Sequence, residues 1–254
     1  MTGKTEFGAL HRAGSPLVLY NTWEAGSARA VAAAGARAIA TGSMSVAGAH
    51  GYADGEDLPL ADLLRVAREI VAAVDLPVSV DFEGGYAADP GGLAANARRL
   101  AETGAAGCNF EDRVVAGEGL YAVEHQAARI AAVAGSGLFV NARTDLFLSR
   151  LMAGENADDP ALLGEAIARA QAYTHAGAQC FFAPGLGDPA LITELCAKVP
   201  LPVNIMRLPG MVDNRALAAC GVARISYGPG PWQQAMAALE SAAKEALAGA
   251  AGLA

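Results

Sequence analysis

The chain has 254 residues, of which 53% are hydrophobic and 17% charged, so it carries ample apolar material for a large core. Its net charge of −8 comes without basic clusters, which argues against binding to a nucleic-acid backbone. No apolar run approaches the roughly 18 residues of a membrane span, and the N-terminus lacks a signal-like segment, so we expect a cytoplasmic protein without a membrane partner.

Short apolar runs alternate with Ala-rich amphipathic stretches along the chain. Eight runs are predicted as strands: Leu17–Asn21, Ala38–Gly42, Val78–Gly84, Gly107–Asp112, Leu138–Asp145, Gln179–Pro184, Val203–Met206 and Arg224–Tyr227. Helical periodicity is clearest over Leu60–Val74, Gly92–Thr103 and Asp159–His175, and Gly48–Pro59 is predicted as a loop. Repeated βα units without a linker predict one (β/α)8 barrel domain over residues 1–254, with an open doubly wound sheet as the alternative.

The predicted strand ends are acidic at the point where barrels of this kind carry their reactive groups. Three consecutive ends carry five carboxylates and two arginines, namely Asp81, Glu83, Glu111, Asp112, Asp145, Arg113 and Arg143. Carboxylates this close repel one another and raise one another's pKa unless a cation compensates them, and hard oxygen ligands favour Mg²⁺ or Mn²⁺. Alternatively, each acid caps a helix or, as for Asp112, pairs with a nearby arginine.

Other chemistries have weaker support in the sequence. The only lysines are Lys4, Lys198 and Lys244, none on a predicted strand, which excludes Schiff-base chemistry on the barrel. The four cysteines lack metal-binding spacing and are predicted to be reduced packing residues. His50 lies in a loop on the predicted active face. The turn at Gly228–Gly230 could cradle a phosphate, with a plain turn as the alternative.

Six segments occur in the order typical of one superfamily: Asn21–Arg29, Thr41–Ser45, Gly51–Asp54, Val80–Tyr86, Asn109–Arg113 and Asn141–Asp145. From about residue 8 to 240, the chain resembles the isocitrate lyase/phosphoenolpyruvate mutase superfamily. The resemblance implies a Mg²⁺-dependent, lyase-type enzyme that acts on a small 2-oxo acid or related di-acid. The reaction would be C–C cleavage, decarboxylation or hydrolysis through a metal-stabilised enolate.

The resemblance also implies roles for individual residues. The implied metal ligands are Asp81, Glu83 and Glu111, with Glu83 standing where the family usually has Asp. The implied catalytic residues are Arg143, Asp54 and Glu111. The implied substrate contacts are Thr41, Gly42, Ser43, Asp81, Arg143 and Asn204.

The chain departs from the superfamily pattern in the segment after the fourth strand. True isocitrate and 2-methylisocitrate lyases carry a catalytic cysteine there, whereas residues 113–126 contain none, which argues against isocitrate cleavage. The longer loop of the mutases is also missing. The candidate acid/base groups in this short segment are Glu118, Tyr121 and His125.

These departures keep alternative functions open. The first is a protein that binds a 2-oxo acid, such as 2-oxoglutarate or oxaloacetate, with little or no turnover. The second is a phosphate-binding biosynthetic barrel that uses the Gly228–Gly230 turn.

Superfamily members are typically tetramers that exchange their eighth helix between neighbours. The corresponding helix here is Trp232–Leu247. The resemblance therefore implies a homodimer or homotetramer with an exchanged C-terminal helix.

Overall fold

The structure is a computed structural model that describes residues 2–114 and 117–250. Within these ranges the strands are β1 Leu17–Leu19, β2 Ile39–Ala40, β3 Val78–Asp81, β4 Gly107–Glu111, β5 Phe139–Arg143, β6 Cys180–Phe182, β7 Val203–Met206 and β8 Arg224–Ser226. The helices are α1 Thr2–Ala9, α2 Ala25–Ala33, α3 Ser43–Ala49, α4 Leu60–Ala73, α5 Pro90–Ala101, α6 Val123–Ala134, α7 Leu146–Met152, α8 Leu163–His175, α9 Pro189–Lys198, α10 Asn214–Ala219 and α11 Gly230–Ala250. A 3₁₀ turn, Pro160–Leu162, precedes α8.

The strands form one parallel sheet that curls into a barrel. Their order is β1-β8-β7-β6-β5-β4-β3-β2, so the last strand pairs with the first. The remaining seam between β1 and β2 is bridged where the Thr22 N–H donates to the Ala40 carbonyl at 2.8 Å. The prediction of a (β/α)8 barrel is confirmed, and the open sheet is excluded because β8 pairs with β1.

Several strands are shorter than predicted, and β3 shows why. The prediction extended this strand to Gly84, but it ends at Asp81. Glu83 has a left-handed backbone with φ of 50°, which an extended strand does not accommodate. The residues after Asp81 therefore form a turn at the barrel rim.

Two apolar clusters hold the barrel together. The larger one packs outward-facing strand residues such as Val80, Phe110 and Ile225 against helix residues such as Leu93 and Ile192. The smaller one forms the floor of the barrel and consists of Phe7, Leu17, Leu19, Ala38, Ala40, Ala106, Phe139 and Cys180. Helix α1 covers this floor through Phe7, whose ring meets that of Phe139 edge-on at 5.2 Å. The apolar floor leaves the opposite end of the barrel for polar groups.

No helix among residues 2–114 and 117–250 is long and apolar enough to cross a membrane. The four cysteines of the chain, Cys108, Cys180, Cys196 and Cys220, are in the thiol form, outside any disulfide. Cys108 and Cys180 are buried, as expected for packing residues.

Close packing of the floor makes Gly107 in β4 sensitive to substitution. A Cβ at this position would lie 2.6 Å from the Phe139 carbonyl oxygen, a backbone atom that cannot swing away. Gly107→Ala is therefore expected to destabilise the fold by about 1–3 kcal/mol, measured by urea unfolding. The control is Gly164→Ala in α8, where a Cβ meets nothing within 4 Å and helix propensity predicts a slight gain in stability. Equal stabilities for the two variants would contradict the close approach of Gly107 to β5.

Candidate active site

A cavity of about 670 Å³ opens at the C-terminal ends of the strands. The final residues of five strands line it, namely Asp81, Arg143, Phe182, Met206 and Ser226. Further polar lining residues are Asn21, Ser43, Asp54, Asn109, Arg113, Asp145, Ser149 and Gln233. The remaining wall is formed by Gly42, Met44, Leu148, Leu151, Met152, Leu208, Gly228 and Pro229. One side of the cavity is thus charged, and the side formed by α7 and the ends of β6 and β7 is largely apolar.

Asp81 supplies a buried carboxylate to the cavity. Its backbone N–H donates to the Thr41 hydroxyl at 2.8 Å, and its Oδ2 accepts from the Ser43 N–H at 3.1 Å. Its Oδ1 is buried and has no hydrogen-bond partner among the described residues. Burial raises the pKa of Asp81, with Arg143 acting in the opposite direction. A buried carboxylate oxygen without a partner is a position that a cation would satisfy.

Arg143 is held rigidly between two carboxylates. Its Nε and Nη2 donate to the two oxygens of Asp145 at 2.5 and 2.9 Å, and its Nη1 lies 3.0 Å from Oε2 of Glu111. Burial alone would lower the pKa of Arg143, but Asp145 and Glu111 raise it well above its usual value. The guanidinium therefore stays charged in one fixed orientation at the cavity wall.

Glu111 lies behind Arg143 and is only 4% exposed. Burial raises its pKa well above the usual value, and the neighbouring Asp145 and Asp81 add to this shift against the influence of Arg143. The pKa is thus raised at both Asp81 and Glu111, with burial as the largest cause and repulsion from neighbouring carboxylates as a smaller one. Glu111 does not line the cavity itself, so its contact with the site runs through Arg143.

Glu83 is turned away from the cavity. Its Oε2 accepts from the N–H groups of Gly55 and Glu56 at 2.9 and 2.8 Å, and its Oε1 accepts from the Tyr86 hydroxyl at 3.1 Å. Burial and the nearby charge of Asp81 raise its pKa to about 7. The predicted ligand Glu83 is therefore engaged by the loop that carries Asp54.

The predicted substrate contacts fall into two groups. Gly42 and Ser43 line the cavity, whereas Thr41 is buried behind them, where its hydroxyl accepts from Asp81. Asn204 is fully buried on β7 below the cavity, and its Oδ1 accepts from the Ser226 hydroxyl at 3.4 Å. Thr41 and Asn204 support the wall from behind and are not exposed to a bound molecule.

The candidate acid/base residues of the short segment after β4 do not line the cavity. The Tyr121 ring stacks beneath the Arg129 guanidinium at 4.1 Å and contacts His125 at 4.9 Å. Glu118 is exposed outside the cavity, and residues 115–116 of the same segment lie outside the described ranges. Arg113 is the residue of this segment that lines the cavity.

Asp112 pairs with a nearby arginine, which is the alternative that the sequence left open for this residue. It is fully buried, its Oδ2 accepts from Arg169 at 3.1 Å and from the Tyr173 hydroxyl at 2.8 Å, and its Oδ1 accepts from the Asp145 N–H at 2.9 Å. Asp112 therefore fixes the backbone that carries Asp145 and takes no direct part in the cavity.

Sequence reasoning missed a polar layer between the cavity and the apolar floor. Arg224 on β8 is fully buried, and its Nη2 donates to Asn109 Oδ1 at 3.0 Å, as does the Asn141 amide at 2.8 Å. Burial lowers the pKa of Arg224 to about 10. Asn109 and Asn141 lie in two of the superfamily-like segments, so the motifs contained a signal, whereas Arg224 lies outside all of them.

Among residues 2–114 and 117–250, no group of three or more His, Cys, Asp or Glu side chains is gathered closely enough to hold a metal ion. Protein ligands alone thus do not complete a coordination shell. Mg²⁺ does not require this, because it usually keeps several waters and binds through one or two carboxylates together with its substrate. The free oxygen of Asp81 and its acidic surroundings fit such an ion.

The fold and the cavity define a (β/α)8 barrel that presents a carboxylate and a fixed arginine to a cavity at the C-terminal ends of its strands. Residues 7–247 match the family model described as phosphoenolpyruvate phosphomutase, and the chain belongs to this family. The resemblance drawn from the sequence is thereby confirmed.

Two curated relatives support this membership. An uncharacterised protein of Mycobacterium tuberculosis is 35% identical over 240 residues, which cover 94% of this chain and 87% of the relative. The 2-methylisocitrate lyase of Escherichia coli is 30% identical over 197 residues, which cover 74% of this chain and 64% of the lyase.

The solved structures that are similar to the chain include a candidate phosphonomutase and a hydrolase. A candidate phosphonomutase from Burkholderia cenocepacia has a TM-score of 0.91 and 48% identity, and the match covers 96% of this chain and 100% of the other. Phosphonopyruvate hydrolase in complex with oxalate and Mg²⁺ has a TM-score of 0.81 and 21% identity, covering 95% of this chain and 85% of the hydrolase. The second likeness shows the fold alone.

Proposed function

We propose that the chain is a Mg²⁺-dependent enzyme that acts on a small 2-oxo acid or related di-acid by C–C cleavage, decarboxylation or hydrolysis. The observation that carries the proposal is Asp81, whose buried carboxylate keeps one oxygen without a partner in the described structure, in a wall that also presents Arg143. Family membership supports it, because a curated relative is a 2-methylisocitrate lyase. The phosphonopyruvate hydrolase solved with oxalate and Mg²⁺ shares the fold.

Asp81 is the residue that we assign to hold the metal directly. The resemblance also implies Glu83 and Glu111 as ligands. Glu111 does not line the cavity and is assigned to the metal site through its ion pair with Arg143. When bound, Mg²⁺ or Mn²⁺ supplies a Lewis acid that draws negative charge towards the keto oxygen of a 2-oxo acid.

Arg143 is assigned to stabilise negative charge that develops on the substrate. Glu111 and Asp145 fix its orientation, so little reorganisation accompanies the reaction, which is the property that makes such charges effective. These two carboxylates also neutralise much of its charge. Arg113, a lining residue without an ion pair in the described structure, is therefore the group that we assign to a second carboxylate of a di-acid.

Asp54 is assigned as a catalytic carboxylate. It lies at the exposed rim of the cavity, whereas Asp145 is engaged by Arg143. The apolar wall formed by residues such as Leu148, Phe182 and Met206 excludes water from the other side of the bound molecule. The absence of a cysteine from residues 113–126 continues to argue against isocitrate as the substrate.

Calorimetric titration with Mg²⁺ tests the metal site. Wild-type protein is expected to bind, and Asp81→Asn is expected to weaken binding by more than about 100-fold, since even groups that only support a metal ligand contribute about 10- to 100-fold. The matched control is Asp62→Asn on the exposed face of α4, which should bind as the wild type does. Equal affinity of wild type and Asp81→Asn would refute the assignment.

A screen of four acids with Mg²⁺ tests the reaction. Oxaloacetate, 2-oxoglutarate, phosphonopyruvate and 2-methylisocitrate are compared by thermal shift and then by product detection. We expect product from at least one acid, and a loss of about 100-fold or more in turnover for Arg143→Lys, which cannot reproduce the fixed fork. The control is Arg150→Lys on the exposed end of α7. Stabilisation by an acid without any product would instead favour a binding protein.

We further propose that the chain forms a homodimer or homotetramer that exchanges α11. Two features support the exchange. Val18 and Tyr20, which alternate with the inward-facing residues of β1, are 38% and 40% exposed, so part of the outer barrel surface is uncovered. Residues 236–248 of α11 are all exposed, and they include Met236, Leu239 and Leu247.

Sedimentation equilibrium tests the exchange. A dimer or tetramer is expected for the wild type, and Leu239→Glu should shift it towards monomer because it places a charge on the apolar face of α11. Ser241→Glu, about 200° further around the helix, serves as the matched control and should have a smaller effect. A monomeric wild type at micromolar concentration would contradict the proposal.

A further inference from the structure

Both oxygens of the Glu83 carboxylate accept hydrogen bonds from the protein itself. One oxygen takes two backbone N–H groups, those of Gly55 and Glu56, and the other takes the Tyr86 hydroxyl. The side chain is only 5% exposed and does not line the cavity. Two successive backbone amides therefore converge on one buried carboxylate oxygen, and such hydrogen bonds are stronger than neutral ones when the carboxylate is ionised.

The loop returns the contact. Oε1 of Glu56 accepts from the Tyr86 N–H at 2.8 Å. The loop after α3 and the turn after β3 therefore each place a carboxylate on donors of the other. The turn is itself anchored by Asn96, whose amide donates to the carbonyls of Gly85 and Tyr86 at 3.1 Å each. We refer to the reciprocal contacts of Glu83, Glu56 and Tyr86 as the carboxylate clasp.

The backbone within the clasp is strained. Glu56, Glu83 and Tyr86 have φ angles of 63°, 50° and 58°, which lie in a backbone region that residues other than glycine rarely adopt. Such conformations persist only where the surrounding contacts over-determine them, and they concentrate at functional sites. The carboxylate clasp supplies these contacts.

We propose that Glu83 is a positioning residue that holds the loop of residues 51–57 against the β3 turn, so that Asp54 lies at the cavity, and that it is not a metal ligand. Asp54 directly precedes Gly55, whose N–H Glu83 binds, so release of that amide frees the backbone beside Asp54. The use of Asp54 in catalysis rests on the proposed function, whereas the clasp itself does not.

The two roles make opposite demands on the side chain at position 83. A metal ligand needs a carboxylate, so aspartate would serve and glutamine would not. The clasp needs the reach of glutamate, and a glutamine oxygen can still accept both amide N–H groups while its NH₂ group faces the Tyr86 hydroxyl. Glu83→Asp and Glu83→Gln therefore separate the two roles.

Hydrogen exchange measured by mass spectrometry and Mg²⁺ calorimetry test the proposal on the full chain. Glu83→Asp should raise amide exchange in residues 53–57 by about tenfold or more, because hydrogen bonds to a charged group contribute about that much, and Glu83→Gln should raise it less. Both variants should keep Mg²⁺ affinity within about threefold of wild type. Glu69→Asp on the exposed face of α4 is the control and should change neither readout. A large loss of Mg²⁺ affinity in Glu83→Gln, with unchanged loop exchange in Glu83→Asp, would overturn the proposal.

Coupling to Asp54 distinguishes positioning from a general structural role. Oxalate affinity in the presence of Mg²⁺ is measured for Asp54→Asn, Glu83→Asp and the double variant. If Glu83 acts through Asp54, the double variant should lose no more affinity than the worse single variant, whereas additive losses would contradict positioning.

Tyr86→Phe removes one clasp contact while keeping the ring, and it provides the same exchange test if Glu83→Asp does not fold. Unchanged amide exchange of residues 53–57 in Tyr86→Phe would count against the clasp. If wild-type protein does not bind oxalate but Glu83→Asp still raises amide exchange in residues 53–57, the proposed function is refuted and the clasp is still supported.

Discussion

The structure depends on how it manages carboxylates buried together at one end of a barrel. Burial removes the water that would solvate them, and closeness adds repulsion, so each must find a compensating partner or keep a raised pKa. A connected series of contacts between arginines and carboxylates provides part of this compensation. Arg169 binds Asp112, Asp112 accepts from the backbone of Asp145, Asp145 grips Arg143, and Arg143 reaches Glu111. This series runs from helix α8 to the end of β4 and fixes the charged wall of the cavity.

Because each buried carboxylate needs a compensating partner, the acidic residues at the barrel rim take different roles. Asp112 is a structural anchor and Asp145 orients Arg143, while Glu83 holds a loop through backbone amides. Asp81 accepts the Ser43 N–H through Oδ2, while its Oδ1 is buried without a hydrogen-bond partner among the described residues. Of the clustered carboxylates, Asp81 is therefore the one whose surroundings leave a position for a ligand to fill.

The sequence predicted the barrel because alternation of apolar runs and helical stretches is a local signal that eight repeated units reinforce. It also predicted the acidic strand ends, since parallel strands bring their C-terminal ends to one rim. It could not predict where each side chain turns. Strand alternation placed Asp81 and Glu83 on the same side, but the left-handed backbone at Glu83 ends that alternation and sends its carboxylate to the loop.

Arg224 was unpredictable for a different reason. An arginine at the start of a short strand usually lies at a solvated edge, and only closure of the barrel between β1 and β8 places it in the interior. Its guanidinium then needs acceptors, which explains why asparagines occupy the facing positions on β4 and β5. The burial of Arg224 follows from pairing between the first and last strands, and a short stretch of sequence around the residue carries no information on that pairing.

The raised pKa values and the unpartnered oxygen of Asp81 express one physical fact. A carboxyl group whose pKa rises on folding, as for Glu83 at about 7, binds its proton more tightly in the folded chain than in the unfolded chain. The stabilising effect of that proton is present at low pH and is lost as the pH rises through the folded-state pKa. Above that pH, the rim carries negative charge that the paired arginines do not fully offset. A site with this surplus favours an added positive charge, and the unpartnered oxygen of Asp81 is the position where that charge is best accommodated, which supports the proposed function.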